Sequence, residues 1–242
     1  MKRSEIYKKS IVLSGVPGSG KTTVANELAK LTGMPIVSTD DLRSLPHANE
    51  LNENSPPHEI RLRKLLPNLP NYIDLGFRPE VQRNMESHGH IGWFFYHKQF
   101  ETMLLEQLLE QLPCAAIIDL GGGVPISLDR DFAKLGAELE NRNPTAFARD
   151  FNMKKIGFKK LQRIFKPFRN IVFLQLPENE PVFKEAREDE NNRKMLSTGQ
   201  YQKTATKTIV VENIKDNGKT NQKKLDNMVK KIIPKHSREL ND

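Results

Sequence analysis

The chain has 242 residues, a net charge of +8 and an isoelectric point near 9.5, with 37% hydrophobic and 28% charged residues. This length suits one generous α/β domain with its own core, and the composition is that of an ordinary globular protein. The longest apolar run is far shorter than the ~20 residues that cross a bilayer. We therefore expect no membrane partner.

The excess of positive charge admits two interpretations. A nucleic-acid partner would explain it. However, lysines and arginines are spread along the whole chain, with the densest group over residues 154–169, and this distribution favours a surface that is simply basic. Cys114 is the only cysteine, which excludes an internal disulfide and predicts a reducing compartment, the cytoplasm. Residues 11–13 are too short for a signal-peptide core, although export by a signal-independent route stays open.

The first predicted elements surround a glycine-rich loop. An apolar strand is predicted over residues 10–15, and the spacing of Val24, Leu28 and Leu31 predicts a helix over residues 21–32. The remaining predicted elements are a strand over residues 34–37, a Pro-, Asn- and His-rich insertion over 44–92, a helix over 97–112, a strand over 114–120, a mostly helical and basic insertion over 126–169, a strand over 170–176, a helix over about 180–195, a last strand over 206–211 and a final helix over 221–233. Because strands alternate with helices, we expect a parallel sheet covered on both faces.

The glycine-rich loop matches the phosphate-binding pattern G-x-x-x-x-G-K-S/T between a predicted strand and a predicted helix. Glycines let backbone N–H groups wrap a phosphate at close range, and the start of the next helix adds positive charge. We expect Lys21 to reach the β- and γ-phosphates and the Thr22 hydroxyl to ligate Mg²⁺. The predicted cofactors are ATP and Mg²⁺, with the nucleotide held by Gly15, Pro17, Gly18, Ser19, Gly20, Lys21, Thr22 and Thr23.

Beyond the loop, the chain resembles the shikimate kinase group of the nucleoside-monophosphate-kinase-like P-loop kinases. Further matching segments are Ser38-Thr39-Asp40 for the family's Asp-x-Asp, the triple glycine 121–123, Arg187 with residues 192–196 for the lid, and residues 201–205 before the last strand. The resemblance implies a P-loop NTPase three-layer α/β sandwich. We expect a single domain over residues 1–242, with the 44–92 insertion as a cap on the acceptor side and the 126–169 insertion as a basic helical segment.

The resemblance also implies an ATP-dependent kinase that transfers the γ-phosphate to a hydroxyl of a small-molecule acceptor. Three departures concern groups expected around the substrate and the metal: Ser38 replaces an acid, Lys98 replaces an arginine three residues before Glu101, and Ser197 replaces another arginine. These departures predict an acceptor other than shikimate. Residues 38–43 also resemble 2-phosphoglycerate, zeta-toxin-type and polynucleotide kinases.

Phosphoryl transfer needs a carboxylate near the acceptor hydroxyl and an acid near the metal. Asp40 is predicted to be the catalytic carboxylate and to bind the acceptor, because it lies just beyond the end of a strand beside the loop. Asp41 is an alternative for that role, and Asp40 could instead cap a helix beginning at Asp41. Asp119, which ends an apolar strand, is predicted to hold Mg²⁺ together with Thr22, or else to be a polar strand end.

Cations over the γ-phosphate are expected from a lid. Arg187 is predicted to bind the nucleotide and Arg193 to act in catalysis with Lys21, unless they belong to a salt-bridged surface helix. Lys98 is predicted to bind an acidic group of the acceptor or to be a surface residue. Gly121, Gly122 and Gly123 are predicted to let the acceptor approach the backbone, or to form a flexible turn.

Two other functions fit the same motif. A polynucleotide 5′-kinase would use the basic second insertion to follow phosphates. A nucleotide-binding regulatory protein would bind ATP without transferring phosphate. The lid-like segment and Asp40 favour transfer to a small molecule, with nucleic acid as the lesser alternative, and the sequence does not name the acceptor.

Overall fold

The computed structural model describes residues 2–81, 89–121, 137, 143, 145, 163–175, 196, 199–211, 215–216 and 219–233. Within this part of the chain, five strands form one parallel sheet in the order β2-β3-β1-β4-β5. The five strands are β1 (Ile11–Ser14), β2 (Ile36–Ser38), β3 (Ile117–Asp119), β4 (Asn170–Gln175) and β5 (Lys207–Val210). The order and the flanking helices give the α/β fold of P-loop NTPases, as the sequence predicted.

The described helices lie between and around these strands. They are α1 (Arg3–Lys9), α2 (Lys21–Thr32), α3 (Thr39–Leu42), α4 (Pro57–Leu65), α5 (Gly89–Gln111), α6 (Gln200–Thr204) and α7 (Gln222–Ile232). The bounds of α2 are those predicted from its apolar spacing. The predicted helix over 180–195 and nearly all of the 126–169 insertion lie outside the described residues.

The central strands of the sheet are buried on both faces, as is typical of a parallel sheet, whereas three of the four residues of the edge strand β5 are exposed. All four residues of β1 are buried, and on one face they pack with apolar residues of α2 and α7 such as Val24 and Val229. On the other face Phe173 of β4 stacks on Tyr201 of α6, with ring centroids 5.2 Å apart. Tyr201 is therefore part of the hydrophobic core that packs on the sheet.

Several elements differ from the sequence prediction. The long helix begins at Gly89 rather than at residue 97. The apolar spacing placed Leu31 on the buried face of α2, but its side chain is 46% exposed. The predicted last strand is followed by a small antiparallel pair, β6 (Lys215–Asp216) and β7 (Lys219–Thr220). The helix α1 was not predicted at all.

The chain divides into two compact units. The first comprises residues 1–38, 114–122 and 167–242 and contains the parallel sheet. The second comprises residues 39–113 and 123–166 and so contains the whole of the 44–92 insertion. A single domain with two insertions remains a prediction. None of the helices in the described residues is long and apolar enough to span a bilayer.

Candidate functional site

The phosphate loop lies in the first unit, between the end of β1 at Ser14 and the start of α2 at Lys21. A Cβ on Gly15 would lie 2.6 Å from Ser19 Oγ and 2.8 Å from the Leu174 carbonyl oxygen, so only glycine fits there. Gly20, the residue before α2, has φ = 80°, in the left-handed region that favours glycine. A side chain would therefore be blocked at position 15 and strained at position 20.

Lys21 is buried within this loop. Its Nζ donates to the carbonyl oxygens of Gly15, at 3.0 Å, and Val16, at 3.1 Å. The hydroxyls of Ser14 and Ser19 are also buried and have no hydrogen-bond partner among the described residues. A buried donor without a partner is costly, and a phosphate oxygen is an acceptor that such a loop is built to receive. The loop therefore fits a bound phosphate group.

Thr22 and Asp119 are brought together, although 97 positions separate them in the chain. The Thr22 hydroxyl donates to Oδ2 of Asp119 at 3.0 Å. The parallel register places Asp119 beside Leu13 of β1 on one side and beside Ser38 of β2 on the other. Hydroxyl and carboxylate oxygens are the donors that Mg²⁺ accepts, so this pair fits the predicted metal.

The other residues predicted around the nucleotide are placed only in part. Pro17 and Gly18 are exposed on the loop, and Thr23 is partly buried in the first turn of α2. Gly121 is described and is buried two residues after β3. Gly122, Gly123, Arg187 and Arg193 lie outside the described residues, so their roles remain predictions.

Asp40 lies in the second unit, within the single turn of α3. The helix begins at Thr39, so Asp40 is its second residue and not the residue that precedes it. Its side chain is 59% exposed, and Oδ1 lies 2.9 Å from Nη2 of Arg43. An exposed carboxylate with a fixed cationic neighbour is available to a ligand and is held in orientation by that neighbour.

Arg43 is shared between two carboxylates. The same Nη2 that pairs with Asp40 also forms a hydrogen-bonded ion pair with Oε1 of Glu101 on α5. Burial is the largest single influence on Arg43 and lowers its pKa, but the attraction of Glu101 together with Tyr72 and Asp40 outweighs it, so the pKa of Arg43 is raised. Arg43 therefore stays charged.

Lys98 contacts the carboxylate of Glu101 that holds Arg43. Its side chain is fully buried, and its Nζ donates to the other oxygen of Glu101, Oε2, at 3.2 Å. The residue predicted to be either an acceptor ligand or a surface lysine thus lies in the interior of the second unit, against a carboxylate on its own helix. Its role toward an acceptor remains a prediction.

An aromatic cluster lines the same region. The guanidinium carbon of Arg43 lies 6.0 Å from the centre of the Tyr72 ring, within cation–π range. Tyr72 packs in turn on Phe77 and Phe100, with ring centroids 5.6 and 5.8 Å away. Burial raises the pKa of Tyr72, so its hydroxyl stays protonated. The cluster restricts the positions that Arg43 can occupy.

Sequence reasoning did not assign a role to Arg43, Glu101 or Tyr72. A signal for the first two was present, because Asp40 and Arg43, like Lys98 and Glu101, are three positions apart and so share a helix face. The pairing of Arg43 with Glu101 spans 58 positions and has no local signature. Tyr72 lies outside any helix or strand, and no sequence pattern points to it.

Comparison with known proteins agrees with this fold. The family model for an AAA domain, AAA_33, matches residues 11–74, a minority of the chain that includes the phosphate loop and Asp40. With the loop and the parallel sheet, this match supports the predicted P-loop fold. No curated protein matches the chain.

Several solved structures are similar in fold. Shikimate kinase from Acinetobacter baumannii in complex with shikimate is 18% identical, with a TM-score of 0.49 and 100% of both chains covered. Shikimate kinase from Aquifex aeolicus is 17% identical, with a TM-score of 0.44, covering 96% of this chain and 99% of its own. Deoxyadenosine kinase from M. mycoides with bound dCTP is 13% identical, with a TM-score of 0.45, covering 92% and 97%.

Proposed function

We propose that this chain is an ATP-dependent kinase that transfers the γ-phosphate of ATP to a hydroxyl of a small-molecule acceptor. The observation that carries the proposal is the 3.0 Å contact between Thr22 of the phosphate loop and Asp119 at the end of β3. A loop hydroxyl held by a strand-end carboxylate is the arrangement that P-loop enzymes use for nucleotide and metal. The buried Lys21 beside it supplies the charge that the phosphates need.

On the nucleotide side, we assign phosphate binding to residues 15–23. The Lys21 ammonium exchanges loop carbonyls for β- and γ-phosphate oxygens, and the buried hydroxyls of Ser14 and Ser19 are positioned to gain a partner. Thr22 and Asp119 would hold Mg²⁺, which would neutralise phosphate charge when bound. Arg187 and Arg193 remain our proposals for the cations that close over the γ-phosphate.

On the acceptor side, we assign to Asp40 the role of accepting the proton of the reacting hydroxyl. Its exposed carboxylate can accept that proton, and Arg43 fixes one of its oxygens in place. Gly121, Gly122 and Gly123 are proposed to let the acceptor approach the backbone. The acceptor is proposed to be a small hydroxyl compound handled in the cytoplasm.

The test is a phosphorylation screen with γ-labelled ATP and a pool of hydroxyl-bearing metabolites. The wild-type protein should label one compound or a narrow class, whereas Lys21→Ala should label none, because the charge that meets the β- and γ-phosphates is gone. The matched control is Lys30→Ala on the same helix, where the lysine side chain is 71% exposed. Melting temperatures of all three proteins show whether the loss is one of folding.

Three outcomes would overturn the proposal. Undiminished labelling by a folded Lys21→Ala protein would remove the phosphate loop from the reaction. Labelling of 5′-hydroxyl oligonucleotides in place of metabolites, with steeply salt-dependent binding, would indicate a polynucleotide kinase. Nucleotide binding without transfer to any acceptor would indicate a regulatory protein.

A further inference from the structure

Four charged side chains of the second unit form a chain of alternating sign. Lys98 Nζ contacts Glu101 Oε2 at 3.2 Å, Glu101 Oε1 contacts Arg43 Nη2, and the same Nη2 contacts Asp40 Oδ1 at 2.9 Å. Two cations and two carboxylates alternate, so each charge lies next to an opposite one. We name this set the charge relay.

The relay runs from the interior to the surface. The exposed fractions of the four side chains are 0% for Lys98, 7% for Glu101, 25% for Arg43 and 59% for Asp40. A side chain with no exposed surface offers nothing to an acceptor arriving from solvent. Only the Asp40 end and part of Arg43 can touch such a ligand.

Burying a lysine is costly, because its charge loses hydration that neighbouring groups must replace. The Glu101 carboxylate is one such neighbour of the buried Lys98. Both oxygens of Glu101 are engaged, one by Lys98 and one by Arg43, which fixes the plane of its carboxylate. A fixed carboxylate holds the Arg43 guanidinium at one position above the Tyr72 ring.

The helix that carries Asp40 needs such a support. With four residues, α3 is a single turn, and an isolated turn has little stability of its own. Arg43 directly follows this turn and connects it to α5 through Glu101. The orientation of the Asp40 carboxylate therefore depends on where Glu101 is held.

We propose that Lys98 is a positioning residue that acts through Glu101 and Arg43 to orient Asp40 for the acceptor hydroxyl. The proposal rests on the function proposed above, in which Asp40 accepts the proton of that hydroxyl. In this proposal Lys98 does not bind the acceptor directly. It acts on the acceptor indirectly, through the orientation of Asp40. Removing Lys98 would take away the group that fixes one oxygen of Glu101, so the carboxylate would no longer hold the Arg43 guanidinium at one position beside Asp40.

The relay also responds to pH. Burial lowers the pKa of Lys98 to about 8, although the neighbouring Glu101 opposes this shift. The charged and titratable groups that face Lys98 and the relay include Glu101 on its own helix, Arg43 next to α3, and Tyr72 and Asp40 beside Arg43. Above about pH 8 a neutral Lys98 no longer balances Glu101, so the wild-type protein should come to behave like a variant without the lysine charge.

The experiment compares Lys98→Met, the double variant Lys98→Met/Glu101→Gln, and Asp40→Asn with the wild type. Lys64→Met is the matched control, an exposed lysine of the same unit. The first readout needs no acceptor: side-chain NMR of the guanidinium of Arg43, assigned with Arg43→Lys, reports whether rotation of that group is restricted. The second readout is kcat and KM, across pH 6.5–9.5, for ATP and for the acceptor found in the labelled-ATP screen.

A positioning role predicts a restricted Arg43 guanidinium in the wild type and Lys64→Met, and a freely rotating one in Lys98→Met and the double variant. It predicts kcat/KM for the acceptor lowered ~10- to 100-fold in both Lys98 variants, with KM for ATP unchanged, since misplacement of a catalytic group costs up to that much. The double variant removes both buried charges, so its melting temperature should return to that of the control while kcat/KM stays low. The decline of wild-type activity above about pH 8 should be absent from Lys98→Met.

Two results would overturn the proposal. One is a restricted Arg43 and wild-type kcat/KM in Lys98→Met. The other is full recovery of kcat/KM in the double variant, which would mean that Lys98 only neutralises a buried carboxylate. Failure of the proposed function would look different: Asp40→Asn would transfer phosphate normally, or no acceptor would be found, while the NMR readout would still show what Lys98 does to Arg43.

Discussion

At the scale of single residues, Asp119 connects the sheet to the phosphate loop. Its carboxylate accepts a hydrogen bond from Thr22, and its register partner on β2 is Ser38, where the kinases that the chain resembles have an acid. One carboxylate is thus available where the family pattern offers two. We infer that Asp119 carries the metal-binding role that Ser38 has lost.

We therefore predict that Asp119→Asn weakens the dependence on Mg²⁺ without disrupting the loop. The amide keeps the shape of the carboxylate and its oxygen can still accept from Thr22, but the negative charge next to the cation is gone. The Mg²⁺ concentration that gives half-maximal activity should rise on the order of tenfold or more, as for other losses of groups that tune a metal site. The measurement is a Mg²⁺ titration of activity at fixed ATP.

Glu53→Gln is the control for this titration, because it removes an exposed carboxylate of the second unit and leaves the phosphate loop unchanged. If Asp119→Asn gave the same midpoint as wild type, Asp119 would be an ordinary polar strand end. The metal would then be held by Thr22 without a contribution from the charge of Asp119.

The residues of the phosphate loop could be predicted from sequence, whereas the relay could not. The loop is specified by consecutive residues, since glycine geometry and the start of a helix are local properties. The burial of Lys98 depends on what packs around α5, and the Arg43–Glu101 pair joins positions 58 residues apart. A lysine in an amphipathic helix is usually a surface residue, and only the folded arrangement shows otherwise.

At the scale of elements, one arginine organises the first insertion. Arg63 of α4 is buried, and its guanidinium makes five hydrogen bonds, all to backbone carbonyls. The carbonyls that accept belong to Leu45, Pro46, Leu66, Pro67 and Leu69. This segment has little regular structure, so a side chain supplies donors that a helix or sheet would otherwise provide.

We predict that Arg63→Met loosens residues 45–72 as a unit. Several buried carbonyls would lose their donor, and with ~1 kcal/mol for each net hydrogen bond the loss is on the order of 3 kcal/mol or more. Hydrogen exchange followed by mass spectrometry should show faster exchange in peptides from this segment and unchanged exchange in β1 and β4. The matched control is Arg61→Met, an exposed arginine two residues earlier on the same helix.

Equal exchange in Arg63→Met and Arg61→Met would show that the five hydrogen bonds contribute nothing to the order of the segment. Faster exchange throughout the chain would show instead that Arg63 stabilises both units.

The strands and α2 were predicted to within a few residues, because continuous apolar runs and a 3.6-residue period are strong local signals. Where the signal was weak, the prediction missed the element. The residue before α1, Lys2, makes no side-chain capping hydrogen bond, and each strand of the β6–β7 pair has two residues. Such elements are stabilised by tertiary contacts that a sequence pattern does not record.

At the scale of the whole molecule, the two compact units carry different parts of the proposed function. The nucleotide residues 15–23 and Asp119 belong to the first unit, and Asp40, Arg43 and Lys98 belong to the second. The nucleotide residues keep the pattern of the kinases that the chain resembles, whereas the departures at Lys98 and Ser197 concern groups expected around the acceptor. We therefore propose that the molecule combines a nucleotide site of the family pattern with an altered acceptor site.

We predict on this basis that shikimate is a poor substrate or none. The shikimate kinases that the chain resembles are expected to hold the acceptor's carboxylate with arginines, but this chain has Lys98, which is fully buried, and Ser197, which lies outside the described residues. A lysine lacks the planar two-bond fork of arginine, and a serine lacks the charge. Each lost charge-assisted hydrogen bond costs about 1.5–3 kcal/mol, a factor of roughly ten to a hundred or more in binding.

The measurement is a coupled ADP-release assay with excess shikimate against a reaction without acceptor, and with an authentic shikimate kinase as the positive control. Turnover with kcat/KM of ~10⁴ M⁻¹s⁻¹ or more would contradict the prediction, since that is the range of working enzymes. Arg63 could not then supply the missing contact, because backbone carbonyls already occupy its guanidinium, and the exposed Arg61 and Arg78 would be the residues to substitute next.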